Sequence, residues 1–201
     1  QIPANQPVPE KVHRINEMIK DKYDLKTVQG LSKKQLAKRY GLKLFNTLND
    51  AFSDLFGYVP LNDKQKEFYI NQYFPFLDKR LICLVVDKND DVVAFGISMP
   101  SLSNALRKCK GRLFPFGWIH LLKALKNFEN IDLYLNGVKP EWQNKGIHSI
   151  YYAEMNKQYI KLGSKMAIAD PQLETNQAAN IWKKYDSRIA IRRRAYIKTI
   201  E

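Results

Sequence analysis

The chain predicts a mixed α+β fold, and three observations carry that prediction. First, Leu81 to Lys88 and Val92 to Met99 are β-rich runs separated by Asn89-Asp90-Asp91. Turn chemistry between two such runs makes a hairpin. Second, the strand-like run Ile131-Asp132-Leu133-Tyr134-Leu135-Asn136-Gly137-Val138 leads through a polar loop into a helix-like run over 147–162. Third, residues 165–169, 175–185 and 189–200 read as strand, helix and strand. The order is a strand meander followed by β-loop-α-β-α-β. A length of 201 residues suits one domain with a sizeable core.

The first half justifies its elements in turn. Residues 1–9 read as a Pro-rich linker with no initiator Met, as expected of a domain cut from a longer polypeptide. Residues 1–22 are therefore taken as linker and helix, and 23–201 as the main domain. Val12, Ile15, Ile19 and Tyr23 follow Pro9 at helical spacing. A short strand fits 23–29. Residues 31–55 read as one or two helices, with Ser32 and Gln35 as a capping box and Gly41 as a candidate break. A further helix runs from Asn62 or Asp63 to Leu77, with Phe68, Tyr69, Tyr73 and Phe76 on its apolar side.

Residues 100–130 interrupt the strand rhythm. Phe114, Phe116, Trp118, Ile119, Leu122 and Leu125 predict an amphipathic helix after a Gly/Pro turn. Connections of this length in compact domains are often functional. A substrate lid, an interaction surface and extra cover for the core are the three readings.

Composition bounds the function. The hydrophobic fraction is 45%, and no apolar run approaches the 18 residues of a membrane span. No signal peptide is visible. Two cysteines argue against a disulfide scaffold or a Cys-based zinc site, and no metal is expected. Cys83, in an apolar run, reads as a small buried hydrophobe, and Cys109, between two lysines, as a bystander thiol. A reducing, cytoplasmic compartment fits. The net charge is +13, part of it in Lys183, Lys184, Arg188, Arg192, Arg193, Arg194 and Lys198. Nucleic acid, anionic lipid or a polyanionic cofactor would be attracted, or the face is simply solvated. Residues 32–42 look like the first half of a helix-turn-helix. The residues beyond, from Leu44 and Phe45 to Leu55 and Phe56, form an apolar stripe that suits packing on a sheet better than reading a groove.

The most informative stretch is Gln143-Asn144-Lys145-Gly146-Ile147-His148. A short polar loop with a glycine, opening a helix, presents free backbone N–H groups to an anion. The helix dipole adds partial positive charge there, and Lys145 adds a full one. The loop is either a phosphate cradle or an ordinary strand-to-helix turn. On the preceding strand, period-two alternation places Asp132, Tyr134 and Asn136 on one face.

These pieces together resemble the GNAT superfamily of acetyl-CoA-dependent N-acetyltransferases. Gly137-Val138-Lys139-Pro140-Glu141-Trp142 is similar to the family's strand end and V-x-P turn. Gln143-x-x-Gly146-x-His148 is similar to its pyrophosphate motif, Q/R-x-x-G-x-G/A. Glu174-Thr175-Asn176 stands where the family often has E-x-N, and Arg194-Ala195-Tyr196-Ile197-Lys198 resembles its closing strand. The resemblance covers roughly 23–201. It points to bacterial proteins, largely from Bacteroidetes, in which such a domain forms the C-terminal half of a longer chain with an N-terminal partner domain.

The resemblance implies a central, mostly antiparallel, twisted sheet of about six to seven strands flanked by helices, with a helical insert at 100–130. It implies acetyl-CoA as co-substrate. The pyrophosphate would lie on Gln143, Asn144, Lys145, Gly146, Ile147 and His148, and the pantetheine along Gly137 and Val138, with Asn176 and Lys183 facing the same molecule. It implies direct acetyl transfer to a primary amine of a small molecule or peptide, in a chain that could pair as a homodimer. Tyr134 and Asn136 would line the acceptor side, and Glu174 is a further candidate. The sequence departs from the family at His148, where a small residue is usual. It departs again at Lys183, where a tyrosine often protonates the leaving thiolate, and at Ser187-Arg188, which replaces Gly-Phe. A GNAT-like module that binds acyl-CoA without transferring it is the alternative, and a DNA-binding protein a more distant one.

Overall fold

The computed structural model describes residues 1–173 and 186–199. Its strands are β1 (Ile2–Pro3), β2 (Lys26–Thr27), β3 (Ile82–Val86), β4 (Val92–Pro100), β5 (Asn130–Val138) and β6 (Met166–Ala169). They form one sheet in the order β1-β6-β5-β4-β3-β2. Every neighbouring pair is antiparallel except β5 and β6, which are parallel. Helices α1 (Glu10–Tyr23) and α6 (His148–Lys161) cover one face, and α2 (Lys33–Phe52) and α3 (Asp63–Tyr73) cover the other. The connection from β4 to β5 carries α4 (Ser103–Lys108) and α5 (Gly117–Ala124).

Strand alternation builds both layers of core. On β4, Phe95 and Ile97 pack toward α2, while Gly96 and Ser98 face α6. Ser98 Oγ and the Tyr159 hydroxyl share a buried hydrogen bond of 2.7 Å. Burying a side chain such as Phe95 or Leu84 stabilises the fold by about 1.5–3 kcal/mol each.

The N-terminal stretch is not a free linker. Ile2 and Pro3 pair with Ala167 and Met166, and Ile2, Ala4 and Val8 are buried in the α1/α6 core layer. Apolar residues at alternate positions of a short segment find the open edge of β6, which outweighs the Pro content.

Residues 33–52 form one unbroken helix with the expected Ser32/Gln35 capping box. Gly41 does not break it, because Gly41 packs directly beneath Ile70 of α3. That removes the turn a helix-turn-helix requires. Arg39 and Tyr40 instead bind the Asp90 carboxylate at the β3–β4 turn, at 3.1 and 2.5 Å, and Lys43 lies 3.3 Å from Asp91.

The inward stripe of α3 and the turn after it is Lys66, Ile70, Phe74 and Leu77. Phe68, Tyr73 and Phe76, expected on the apolar side, are 60%, 42% and 62% exposed. A lysine at an inward position disguised the stripe; its ammonium is held by Asn46 Oδ1 at 2.8 Å and Asp63 Oδ1 at 3.0 Å.

The insert folds as two short helices, where one was expected. At the other end, a strand was expected at 189–200. Residues 186–199 have no regular secondary structure and are mostly exposed. The outer edge of β6 is already taken by β1, and Arg188 meets Gln1 through backbone hydrogen bonds of 2.9 and 3.0 Å and a side-chain bond of 2.7 Å from Arg188 Nε to Gln1 Oε1. The helix expected at 175–185 lies outside the described residues.

Candidate active site

The site begins where the only parallel pair among the described strands comes apart. Asn130 to Leu133 of β5 match Met166 to Ala169 of β6 residue for residue, and there β6 ends. Tyr134 to Val138 continue with no strand on that side among the described residues, while β4 still holds the other edge. Lys139 N–H donates to Val93 O on β4 at 2.9 Å. Backbone direction alternates along a strand, so the amides of Asn136 and Val138 point away from β4, into the opening.

A one-residue bulge sorts the side chains. Ile97 faces Leu135, but Ser98 faces Leu133, so Tyr134 is the extra residue on β5. Ile131 and Leu133 before it, and Val138 after it, join the α1/α6 layer. Asn136 falls on that side too, its Oδ1 accepting a long hydrogen bond of 3.4 Å from Tyr151 OH. Asp132 and Gly137 face the α2/α3 layer. The single face expected for Asp132, Tyr134 and Asn136 is therefore broken: the bulge resets the alternation, and Asn136 parts from the other two.

Gly137 also has a packing reason. A Cβ there would lie 3.0 Å from both Ala51 Cβ and the Phe95 ring, so its small size admits α2 onto the sheet.

Beyond β5, Pro140–Trp142 form a single 3₁₀ turn, and then the loop enters α6. Asn144 and Gly146 both adopt left-handed backbone, at φ 59° and 78°. Among the described residues, the N–H groups of Asn144 to Ile147 donate to no backbone carbonyl. No side chain caps the start of α6. These orphan donors and the helix dipole are the features an anion would meet at a helix start. Gln143 Nε2 donates to Val138 O at 3.2 Å, tying the loop to the strand end. The Lys145 ammonium lies 4.8 Å from the Trp142 ring centre and 5.4 Å from that of Tyr23. It is thus held beside the loop while staying exposed.

A link that the sequence did not signal fixes the loop from behind. Asn16 of α1 is 4% exposed, and its Nδ2 donates to Ser149 O at 3.0 Å. The single proton of Ser149 Oγ is shared between two acceptors, Asn16 Oδ1 and, at 2.7 Å, Gly146 O. A buried Asn on a helix face is visible in sequence only as a polar interruption of the apolar spacing.

On the α2/α3 side lies a set of proton-active groups. Burial raises the Asp132 carboxyl above the ordinary range, and the nearby Asp170 charge adds to this against a hydrogen bond from Ser101. Burial likewise raises Asp170, the residue directly after β6. Tyr134 is raised by burial first, then by Tyr73 and Asp170, and stays a protonated phenol. Asp170 was missed by sequence reasoning; its signal is an acid at the end of the strand parallel to β5. Glu174, Asn176 and Lys183 lie outside the described residues. No group of three or more His, Cys, Asp or Glu among the described residues is placed to hold a metal.

The overall fold is shared with solved enzymes. An aminoglycoside acetyltransferase from an uncultured soil metagenomic sample, solved with trehalose, matches 90% of this chain and 99% of its own at a TM-score of 0.52, with 12% identity. An aminoglycoside 6'-N-acetyltransferase from Acinetobacter baumannii matches 88% and 99% at 0.52, also with 12% identity. The chain has the GNAT acyltransferase fold. Another aminoglycoside acetyltransferase of this fold, solved with a CoA bisubstrate analogue, matches at a TM-score of 0.52 and 11% identity.

No protein-family model matches the chain. In sequence, a bacterial ceramide synthase from Caulobacter vibrioides is 29% identical over 102 residues. That match spans 50% of this chain and 26% of the synthase.

Proposed function

We propose that the chain is an acyl-CoA-dependent N-acyltransferase, with acetyl-CoA as the first donor to test. The observation that carries this reading is the free edge of β5 from Tyr134 to Val138 running directly into the orphan N–H groups of 144–147. Coenzyme A offers a matching series of groups: pantetheine amides for the amides of Asn136 and Val138, and a pyrophosphate for the loop and Lys145. The bound thioester supplies an activated acyl carbon.

The chain's own residues would handle the protons. An acceptor amine is delivered as an ammonium ion, and Asp132 or Asp170, directly or through water, takes its proton. The neutral nitrogen attacks the thioester carbon, the C–S bond breaks as the amide forms, and the proton the nitrogen then sheds balances the one the departing thiolate takes up. The Tyr134 phenol, protonated at neutral pH, is the donor on this side of the cleft. Positioning the two reactants supplies much of the rate.

The ceramide synthase match and the exposed Tyr73 beside Tyr134 favour a second reading, in which donor and acceptor carry long alkyl chains. Ceramide formation is itself N-acylation of a long-chain amine.

The test is calorimetry with acetyl-CoA on the wild type and on Gly146→Trp and Lys145→Glu, followed by free-thiol release with short and long-chain amines and acyl-CoAs. Micromolar-range binding that both substitutions weaken by tenfold or more is expected. A bulky residue at φ 78° meets Ile19 Cδ1 at 2.9 Å, so Lys145→Glu guards against misfolding. Equal binding by all three proteins refutes the donor site. Binding without thiol release on any amine would support the non-catalytic module instead.

A further inference from the structure

We infer that the insert between β4 and β5 is a docking surface for an anionic lipid bilayer. The inference stands independently of the acyl-transfer reading. From Ser101 to Glu129 only Ala105 and Gly117 are buried, and α4 and α5 pack chiefly on each other. The apolar side chains are turned outward: Phe114 is 83% exposed, Phe116 69%, and Leu106, Leu113, Trp118 and Leu122 between 45% and 51%. A patch of this kind on a soluble face marks an interaction site.

The tip is built, not loose. Gly111 N–H donates to Leu106 O at 3.1 Å, Arg112 N–H to Cys109 O at 2.9 Å, and Trp118 N–H to Leu113 O at 3.0 Å. Trp118 Nε1 donates to Pro115 O at 3.0 Å. A Cβ on Gly117 would lie 1.8 Å from Arg112 O, so the loop is folded tightly onto the start of α5. This holds Phe114 and Phe116 at the apex, in solvent.

Charge identifies the occupant. The insert's cations, Arg107, Lys108, Lys110, Arg112, Lys123 and Lys126, are all exposed. No acidic residue occurs between Asp91 and Glu129, and Glu129 is paired with Lys165 at 2.8 Å at the base of the insert. Exposed Phe, Trp and Leu interspersed with Lys and Arg is the composition of a surface that sinks its apolar residues among headgroups and holds anionic lipid with its cations. A nucleic-acid duplex would use the charge but leave Phe114 and Phe116 without a role, a single strand would stack on the rings but leave Leu106, Leu113 and Leu122 unused, and a second basic copy of the insert would be repelled. The insert's strands lead straight into the cleft, since Ser101 N–H donates to Asn130 O at 2.8 Å and Asp132 follows two residues on.

The experiment is flotation of the whole chain with vesicles of phosphatidylcholine alone and with about one-third phosphatidylglycerol. Wild type is compared with Phe114→Ser/Phe116→Ser and with Arg107→Gln/Lys110→Gln/Arg112→Gln, all at exposed positions and checked by melting. Expected are binding to the anionic vesicles only, a loss of at least tenfold for the first variant and on the order of 100-fold for the second, at about fivefold per cation. Failure to float with anionic vesicles, or equal flotation of all variants, overturns the inference. A dimer in sizing chromatography that dissolves on Phe114→Ser/Phe116→Ser, with no flotation, overturns it in favour of self-association.

Discussion

Replacing Asn16 with Ala tests whether the anion loop is held in shape from behind. The substitution removes the Asn16 Nδ2 to Ser149 O bond of 3.0 Å and the acceptor for Ser149 Oγ, in a place only 4% exposed. Two such bonds contribute about 1 kcal/mol each, and the partly orphaned Ser149 groups add to the loss, so about 2–3 kcal/mol is expected. For a chain of this size that lowers Tm by roughly 5–10 °C. Asn16 also anchors the first turn of α6 to α1 through Ser149 O, so the start of the helix loosens, and acetyl-CoA should bind about tenfold more weakly as preorganisation is lost. The assays are scanning calorimetry and titration calorimetry on wild type, Asn16→Ala, Ser149→Ala and the double variant. Coupling between the two residues should reach about 1–2 kcal/mol. Additive effects, or a Tm drop below 2 °C, would refute the link. A normal Tm drop with unchanged affinity would show that the link supports the fold without shaping the loop.

Three further outcomes are expected. Asp132→Asn and Asp170→Asn should each lower turnover by on the order of 100-fold. They should also stabilise the protein at neutral pH. Their folded carboxyls titrate above the ordinary 3.8, so the folded state binds more protons, and stability falls as pH rises from there through the raised values. Melting curves from pH 3 to 8 read the effect, and less stable variants at pH 7 would contradict it. Gly137→Ala should cost about 1–3 kcal/mol in urea titration, because its methyl meets Ala51 and Phe95 at 3.0 Å; a neutral result would mean α2 can shift freely. Burial pushes the Cys83 thiol up to about 12, so a maleimide at pH 7.5 should label Cys109 in the native protein and Cys83 only in denaturant.

Much of this fold was legible because its signals are local. The β3–β4 hairpin follows from Asn89-Asp90-Asp91, the start of α2 from Ser32 and Gln35, and the end of α6 from Gly163 at φ 72°. The loop at 143–148 was legible for the same reason, since positive φ and a helix start are encoded within six residues. What failed was set by distant partners. Ile2 and Ala4 look like linker residues until β6 offers them an edge. Lys66 hides an apolar stripe because its ammonium finds Asn46, twenty residues away. Asp170 gains its character only when β6 is laid parallel to β5, and no neighbour in sequence announces that.

The bulge at Tyr134 is the least legible feature and the one with the largest consequence. Unbroken alternation would stack Asp132, Tyr134 and Asn136 in one row and leave the donor and acceptor groups competing for one face. One extra residue instead sends Asp132 and Tyr134 toward Asp170 and Tyr73, and Asn136 toward α6. The freed edge of β5 lies between them. On the proposed reading this also reconciles a net charge of +13 with a cationic acceptor. The long-range field favours a polyanionic donor, while the ammonium answers to the two carboxylates of Asp132 and Asp170 at close range. Whole-chain charge therefore bears on the donor, and the acceptor is chosen by the few ångströms around Asp132 and Asp170.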